Sequence, residues 1–249
     1  MRKHSTQLAT VFLALSTALV TACSDGSTGP EKHEGVAVFM NPDLVQVDPT
    51  DPGAEGSNAF AAIQALGYSP TSFDPTDASS FAAAIKGKRT VVIPELEGMD
   101  EEMGLGLDDP TKSAIRSFVQ GGGTIVLLAG YSGIAATNEV FGWQLEYGGW
   151  ESDVFALNSA AATGTPFAGG PASLDYADGS DAIYMGEGAI LPTGAKAIYT
   201  TDSGDAVVLD VPVGKGHVII LGYDWYDPTG DNADFYPNWR TVLDRSLKY

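Results

Sequence analysis

The sequence is poor in the residues that carry most reactive chemistry: one cysteine, Cys23, and three histidines in 249 residues. A single cysteine excludes an intramolecular disulfide, and without a His/Cys cluster there is no zinc site of the usual ligand spacing. Positive charge is scarce as well, with 13 Lys and Arg against 32 Asp and Glu and a formal net charge of −19. That balance excludes nucleic acid as a partner, because phosphate binding needs the opposite sign. It also disfavours close contact between the domain surface and anionic lipid headgroups. Long apolar runs are absent apart from Leu8 to Val20, which is too short to span a bilayer needing about 20 helical residues. No repeat of fixed period is present.

What is present begins with an address. Arg2 and Lys3 precede the apolar run, which ends in Val20-Thr21-Ala22-Cys23, so residues 1–22 read as a signal peptide. Val-Thr-Ala-Cys resembles the bacterial lipobox, and that resemblance implies acylation of Cys23 and cleavage just ahead of it. It also accounts for an unpaired thiol in an exported chain, and several acyl chains would hold the protein to a membrane stably. Ser24 after the cysteine resembles the outer-membrane sorting pattern, with Asp25 one position later. The expected location is the cell envelope, lipid-anchored. Of the 13 basic residues, removal of Arg2 and Lys3 leaves 11 against 32 acidic ones, a formal charge of −21. Residues 23–34, polar and rich in small side chains, read as a tether.

Residues 35–249 are long enough for one α/β domain with a full core. Gly35 to Met40 is a buried-strand pattern. A polar loop then leads to a helix that Ser57 can cap, with Phe60, Ile63 and Leu66 on one face and Gly67 as its stop. Asp77 caps a second helix, with Phe81, Ala84 and Ile85 inward and Gly87 after it, and Thr90 to Pro94 forms a strand. In the third cycle Asp109 caps and Pro110 starts a helix carrying Ile115, Phe118 and Val119, before Gly121 to Gly123 and the strand from Thr124. Strand and helix in alternation predict a three-layer sandwich with a mostly parallel central sheet. Residues 144–204, rich in Gly, Ala, Pro, Ser and Asp, read as irregular β structure added at the sheet's edge, with a strand at Ala197 to Thr200. Two strands around Gly214-Lys215-Gly216 form a hairpin, and a last helix places Trp239, Val242, Leu243 and Leu247 on one side.

Three blocks share an order and spacing: Val91-Val92-Ile93-Pro94-Glu95, then Ala129-Gly130-Tyr131-Ser132-Gly133 after a glycine-led strand, then Leu221-Gly222-Tyr223-Asp224. Together they resemble the class I glutamine amidotransferase-like superfamily, which implies a flavodoxin-like fold over most of Gly35 to Tyr249. The active members of that superfamily carry Gly-x-Cys-x-Gly after a strand, and a histidine and glutamate after a late strand. Here Tyr131 stands at the cysteine's place, and Gly222-Tyr223-Asp224-Trp225-Tyr226 has no histidine. A phenol with an ordinary pKa near 10 replaces neither thiolate nor imidazole, so glutaminase chemistry is not expected.

Ser132 lacks the second glycine of a Gly-x-Ser-x-Gly elbow. If the strand of His217 runs parallel to that of Thr124, His217 lies some 13 Å from the end where Ser132 stands. Glu95 and Glu97 after one strand and Asp224 and Asp227 after another are expected over the same sheet edge, where ligands of such folds bind. Trp225 and Tyr226, with Tyr147, Trp150, Tyr236 and Trp239, supply either core or a stacking surface for a sugar or partner. The loops DPTDPGAE, DYADGSD and DPTGDNAD are rich in oxygen ligands without matching the EF-hand spacing, so calcium enters only as a loop stabiliser and no metal site or other cofactor is assigned.

The expected function is a non-catalytic, lipid-anchored envelope domain. It binds a protein partner, small ligand or glycan around Glu95, Glu97, Tyr131, Ser132, Asp224, Trp225, Tyr226 and Asp227. A carboxylate-dependent hydrolase acting on envelope glycans is the alternative.

Overall fold

The computed structural model describes residues 35–74, 76–97, 105–128, 130–150, 154–230 and 232–249, without the side chain of Trp150. Residues 1–34, and with them Cys23 and the segments expected to be a signal peptide and a tether, lie outside the described residues. The first half runs β1 (Val36–Phe39), α1 (Glu55–Ala65), β2 (Thr71–Phe73), α2 (Ala78–Ala84), β3 (Thr90–Ile93), α3 (Asp109–Gln120), β4 (Thr124–Leu128) and α4 (Gly130–Phe141). The second half continues with β5 (Tyr147–Trp150), β6 (Phe155–Leu157), α5 (Ser159–Ala162), β7 (Ser173–Leu174), β8 (Asp181–Ile183), β9 (Lys196–Thr200), β10 (Ala206–Val213), β11 (Gly216–Leu221) and α6 (Tyr236–Ser246).

All these strands belong to one sheet of order β2-β1-β3-β4-β11-β10-β9-β6-β7, with β8 paired to β10 and β5 to β8. From β2 to β11 every neighbouring pair is parallel, as the alternation of strand and helix predicts. From β11 onward every pair is antiparallel. The sheet is therefore mixed, not mostly parallel. Residues 144–204 supply β5 to β9 and the short α5; β9, β6 and β7 form the sheet's edge beyond β10, as expected, but as short paired strands, with β8 and β5 branching from β10. Composition hid this, because strands of two to five residues separated by Gly and Pro leave no period to read.

Alternation along the strands divides the core. Val92, Val126, Leu128, Ile219 and Leu221 pack with Ala59, Ala62 and Ile63 of α1 and Trp239, Val242 and Leu243 of α6. Val91, Ile93, Ile125, Leu127 and Ile220 pack with Phe81 of α2, Ile115 and Val119 of α3, and Ile134 and Val140 of α4. Successive side chains of a strand face opposite ways, so these continuous apolar runs serve two cores at once. Each large side chain buried in this way contributes about 1.5–3 kcal/mol.

The helix starts refine the sequence reading. Asp77 caps α2, accepting from the backbone N–H of Ser79 and Ser80, as expected. Asp108, not Asp109, caps α3 by accepting from Thr111 N–H at 2.8 Å, which puts Pro110 in the first turn. Ser57 caps nothing: α1 starts two residues earlier, at Glu55, and the Ser57 hydroxyl donates to the Val47 carbonyl at 2.8 Å. The earlier start buries Glu55 and Gly56 under the preceding loop, and it carries Glu55 into the site described next.

Candidate functional site

A cavity of about 670 Å³ opens beyond the carboxyl ends of the parallel strands, lined by Glu55, Glu95, Leu96, Glu97, Tyr131, Ser132, Tyr147, Asp178, Gly179, Asp181, Asp224 and Tyr226. Six of these residues are acidic and none is basic. They come from several elements that converge at one end of the sheet. Glu95 and Glu97 follow β3, Tyr131 and Ser132 form the first turn of α4, and Asp224 and Tyr226 follow β11. Of the eight site residues expected from the sequence, Glu95, Glu97, Tyr131, Ser132, Asp224 and Tyr226 thus meet in one place. Trp225 and Asp227 do not.

Trp225 is fully buried, its ring 4.9 Å from that of Tyr223 within the α6 side of the core. Its backbone takes a φ of 74°, in the left-handed region that bulky residues avoid. That turn sends the indole down into the core and leaves its neighbours Asp224 and Tyr226 facing the cavity. Surrounding bonds hold the loop. Tyr226 N–H donates to Asp224 Oδ1 at 2.7 Å, and Asn58 Nδ2 donates to the Trp225 carbonyl at 3.1 Å. The Tyr226 carbonyl accepts from Tyr223 Oη and Asn232 Nδ2, both at 2.8 Å. Asp227 follows with a φ of 36°, half-buried and outside the lining. Trp239 is likewise core, whereas Tyr226 is 43 % exposed and lies on the rim.

Ser132 is not presented as a nucleophile. Its buried Oγ accepts the backbone N–H of Leu96 at 3.1 Å, tying the loop after β3 to α4. His217, the sole histidine among the described residues, pairs with Thr124 at the start of β4, while Leu221 pairs with Leu128 at its end. Four strand steps of about 3.3 Å separate the imidazole from the cavity end. It is held there by Asp210, Nδ1 to Oδ1 at 2.8 Å, and Asp210 Oδ2 accepts from Tyr249 Oη at 2.5 Å.

Three lining acids escaped the list of site residues read from the sequence: Glu55, Asp178 and Asp181. All belong to oxygen-rich loops, Glu55 closing DPTDPGAE and the aspartates standing in DYADGSD. The signal was therefore visible, but only pairing of β8 with β10 and β5 brings the second loop to the cavity. Asp181 Oδ2 accepts Tyr131 N–H at 3.2 Å and its Oδ1 accepts Tyr147 Oη at 2.8 Å. The two tyrosine rings meet edge to face at 4.8 Å. Gly130 makes this approach feasible, since a β-carbon there would stand 2.8 Å from that of Asp181. At Gly179, φ is +84° and a β-carbon would overlap the Asp224 carboxylate. As for calcium in the loops, Asp48 and Asp51 close their own turns, accepting from Thr50 N–H and Gly53 N–H, both at 2.9 Å.

So many carboxyls in one recess suppress one another's ionisation. Burial, then the charge of Asp224, pushes Glu55 up to about 10. Burial followed by the charges of Asp181 and Glu97 raises Glu95 to about 7. Asp181 rises to about 6 through burial, opposed by its bonds from Tyr147 and Tyr131. Asp224 is raised well above its ordinary value by burial and then by Glu95. Ligand oxygens of Glu55, Glu95 and Glu97 all lie within 4.8 Å of one another. Two full charges at that separation repel by roughly 3 kcal/mol at an effective dielectric constant of about 20. The recess therefore holds protons, a cation or hydroxyl donors far more readily than it holds free charge.

This architecture is a mixed α/β fold whose parallel half has the flavodoxin-like strand order, β2-β1-β3-β4-β11. A ThuA-like protein from Bacteroides uniformis ATCC 8492 is similar to it at a TM-score of 0.51 and 12% identity, over 86% of this chain and 90% of that one. The N-terminal domain of mmIFT52 is similar at a TM-score of 0.53 and 10% identity, covering 86% and 98%. A β-galactosidase from Bacillus circulans sp. alkalophilus matches at 0.51 and 14% identity over 86% of this chain, which spans only 31% of the enzyme. No protein-family model matches the sequence, and no curated protein matches it. At these identities the likeness establishes the fold alone.

Proposed function

We propose that this is a lipid-anchored envelope domain that binds a small polyhydroxylated ligand, of the glycan class, without transforming it. The three-layer sandwich and the loss of the superfamily's reactive pair belong to the same reading. Two apolar clusters on opposite strand faces support the first. The second is carried by one observation: at the strand end where a nucleophile would stand, Tyr131 has its backbone N–H bonded to Asp181, and the only described imidazole lies at the other end of the sheet. Carboxyl groups accept hydrogen bonds from sugar hydroxyls, and the exposed face of Tyr226 suits stacking on a pyranose ring. Anchoring rests on Val20-Thr21-Ala22-Cys23, and the strongly acidic surface fits a domain held off an anionic membrane.

One observation favours a second reading, a carboxylate-dependent glycan hydrolase. Glu95 at about 7 and Asp181 at about 6 lie where a general acid operates near neutral pH. Envelope polysaccharides incubated with wild type and with Glu95→Gln, Glu97→Gln and Asp224→Asn separate the two. Retention without cleavage, weakened by Tyr226→Ala, is expected; turnover lost with the carboxylates refutes the binding account. Fatty-acid labelling in a bacterial host tests the anchor, and Cys23→Ser is expected to abolish both label and membrane association. Label retained in Cys23→Ser refutes the anchor.

A further inference from the structure

We propose that Glu55, Glu95 and Glu97 together hold one hard divalent cation, calcium, at the floor of the cavity. This goes beyond glycan binding and stands or falls separately from it. The first observation is the convergence of three glutamates from two elements. Glu55 opens α1, Glu95 and Glu97 follow β3, and a ligand oxygen of each lies within 4.8 Å of the others. Two oxygens on opposite sides of a calcium ion, each bonded at about 2.4 Å, are about 4.8 Å apart, so the three fit one coordination sphere.

The second observation is independent of that spacing. Glu55 is only 2 % exposed, and its Oε2 is buried without a hydrogen-bond partner although it lines the cavity. A buried acceptor left unpaired is costly, and native proteins rarely tolerate one unless something else engages it. Among the lining residues no Lys, Arg or His supplies a counter-charge. The Gln46 amide reaches Glu97 Oε2, whereas Glu55 Oε2 has no hydrogen-bond partner among the described residues.

The donor chemistry selects the ion. Every ligand is a carboxylate oxygen, which suits calcium, magnesium or manganese and not the softer metals that prefer nitrogen and sulfur. Calcium takes six to eight oxygens in adaptable geometry, and three glutamates with water meet that number through bidentate binding. Magnesium demands a tighter octahedron and gives up its water reluctantly. An open cavity above the trio leaves room for those waters, or for ligand hydroxyls that displace them.

Calorimetric titration of the purified full-length chain, after chelation and desalting, reads the site with CaCl2 alone and with MgCl2 alone. One calcium per chain is expected, with magnesium at least tenfold weaker, and added calcium raises the melting temperature. Glu55→Gln keeps the shape and adds no charge to the recess, so it folds, but an amide is a poorer ligand for calcium than a carboxylate, and calcium affinity is expected to fall at least tenfold. Glu97→Gln alters an exposed side chain, leaves folding intact and is expected to weaken calcium similarly. Asp48→Asn in the neighbouring loop leaves the affinity unchanged. No heat and no melting shift at millimolar calcium overturns the proposal, as does affinity untouched in both glutamine variants. Tighter magnesium binding overturns the choice of ion.

Discussion

Replacing Asp181 by asparagine is expected to remove one defined part of the pH dependence of this protein's stability, the remainder staying with Glu55, Glu95 and Asp224. Asp181 is an acid whose folded-state pKa, about 6, lies above its ordinary 3.8. Its stabilising contribution is fully present below about pH 4, where both folded and unfolded chains carry the proton, and it is lost as pH rises through 6. Once ionised, the carboxylate costs the folded state on the order of 3 kcal/mol relative to the unfolded chain. An amide carries no such cost. It still accepts Tyr131 N–H through its oxygen, while its NH₂ donates to Tyr147 Oη, so both hydrogen-bond partners remain served.

Loss of the Asp181 charge also relieves Glu95, for which that charge is the largest influence after burial. Urea unfolding in chelator at a series of pH values from 4 to 8 measures the effect. Wild type is expected to weaken across this range. The variant is expected to match it near pH 4 and to exceed it by about 2–3 kcal/mol at pH 7.5, a melting difference of about 5–10 °C for a domain of this size. Parallel curves for the two proteins, or a variant weaker than wild type at pH 7.5, would refute the account of a recess crowded with like charge.

Other substitutions probe the frame around the cavity. Gly179→Ala, at a positive φ and against the Asp224 carboxylate, is expected to lower stability by about 2 kcal/mol or more in thermal melts; Gly169→Ala, also at positive φ but facing open space, is expected to cost less. Ser132→Ala strands the Leu96 N–H and is expected to cost about 1–2 kcal/mol by chemical denaturation while leaving any glycan turnover unchanged, because the hydroxyl serves structure. Arg245→Ala removes three bonds to the carbonyls of Pro166, Ala168 and Gly169 and is expected to cost about 2–3 kcal/mol, with faster proteolysis between β6 and β7.

The parallel half of the fold was legible because its elements are long enough to show a period. The α3 and β4 cycle is the clearest case, with Ile115 and Val119 buried as their spacing predicts and Thr124 to Leu128 running straight through the core. The hairpin of β10 and β11 and the inward face of α6 were legible for the same reason. What escaped depends on contacts remote in sequence. The strands of residues 144–204 are too short to announce themselves, and their place follows from β10 offering an edge to β9 and β8. Asp181 could be seen as acidic but not as a neighbour of Tyr131, since 50 residues separate them. For Trp225 the sequence left core and stacking surface both open, for a local reason. Its neighbours Asp224 and Tyr226 both reach the cavity, and only its left-handed backbone reveals that the residue between them turns away.

That turn at Trp225 divides the labour of the binding face. Asp224 and Tyr226 ride on a loop riveted to the core by the buried Trp225 indole, so this side of the cavity is tied directly to the packing against α6. The opposing side, bearing Asp178 and Asp181, belongs to the stretch of chain that joins α4 to β10, where length and sequence can change without redrawing the parallel strands. On the proposed glycan binding, preference for one sugar over another is expected to diverge first in residues 144–204, with the riveted side retained as a common grip.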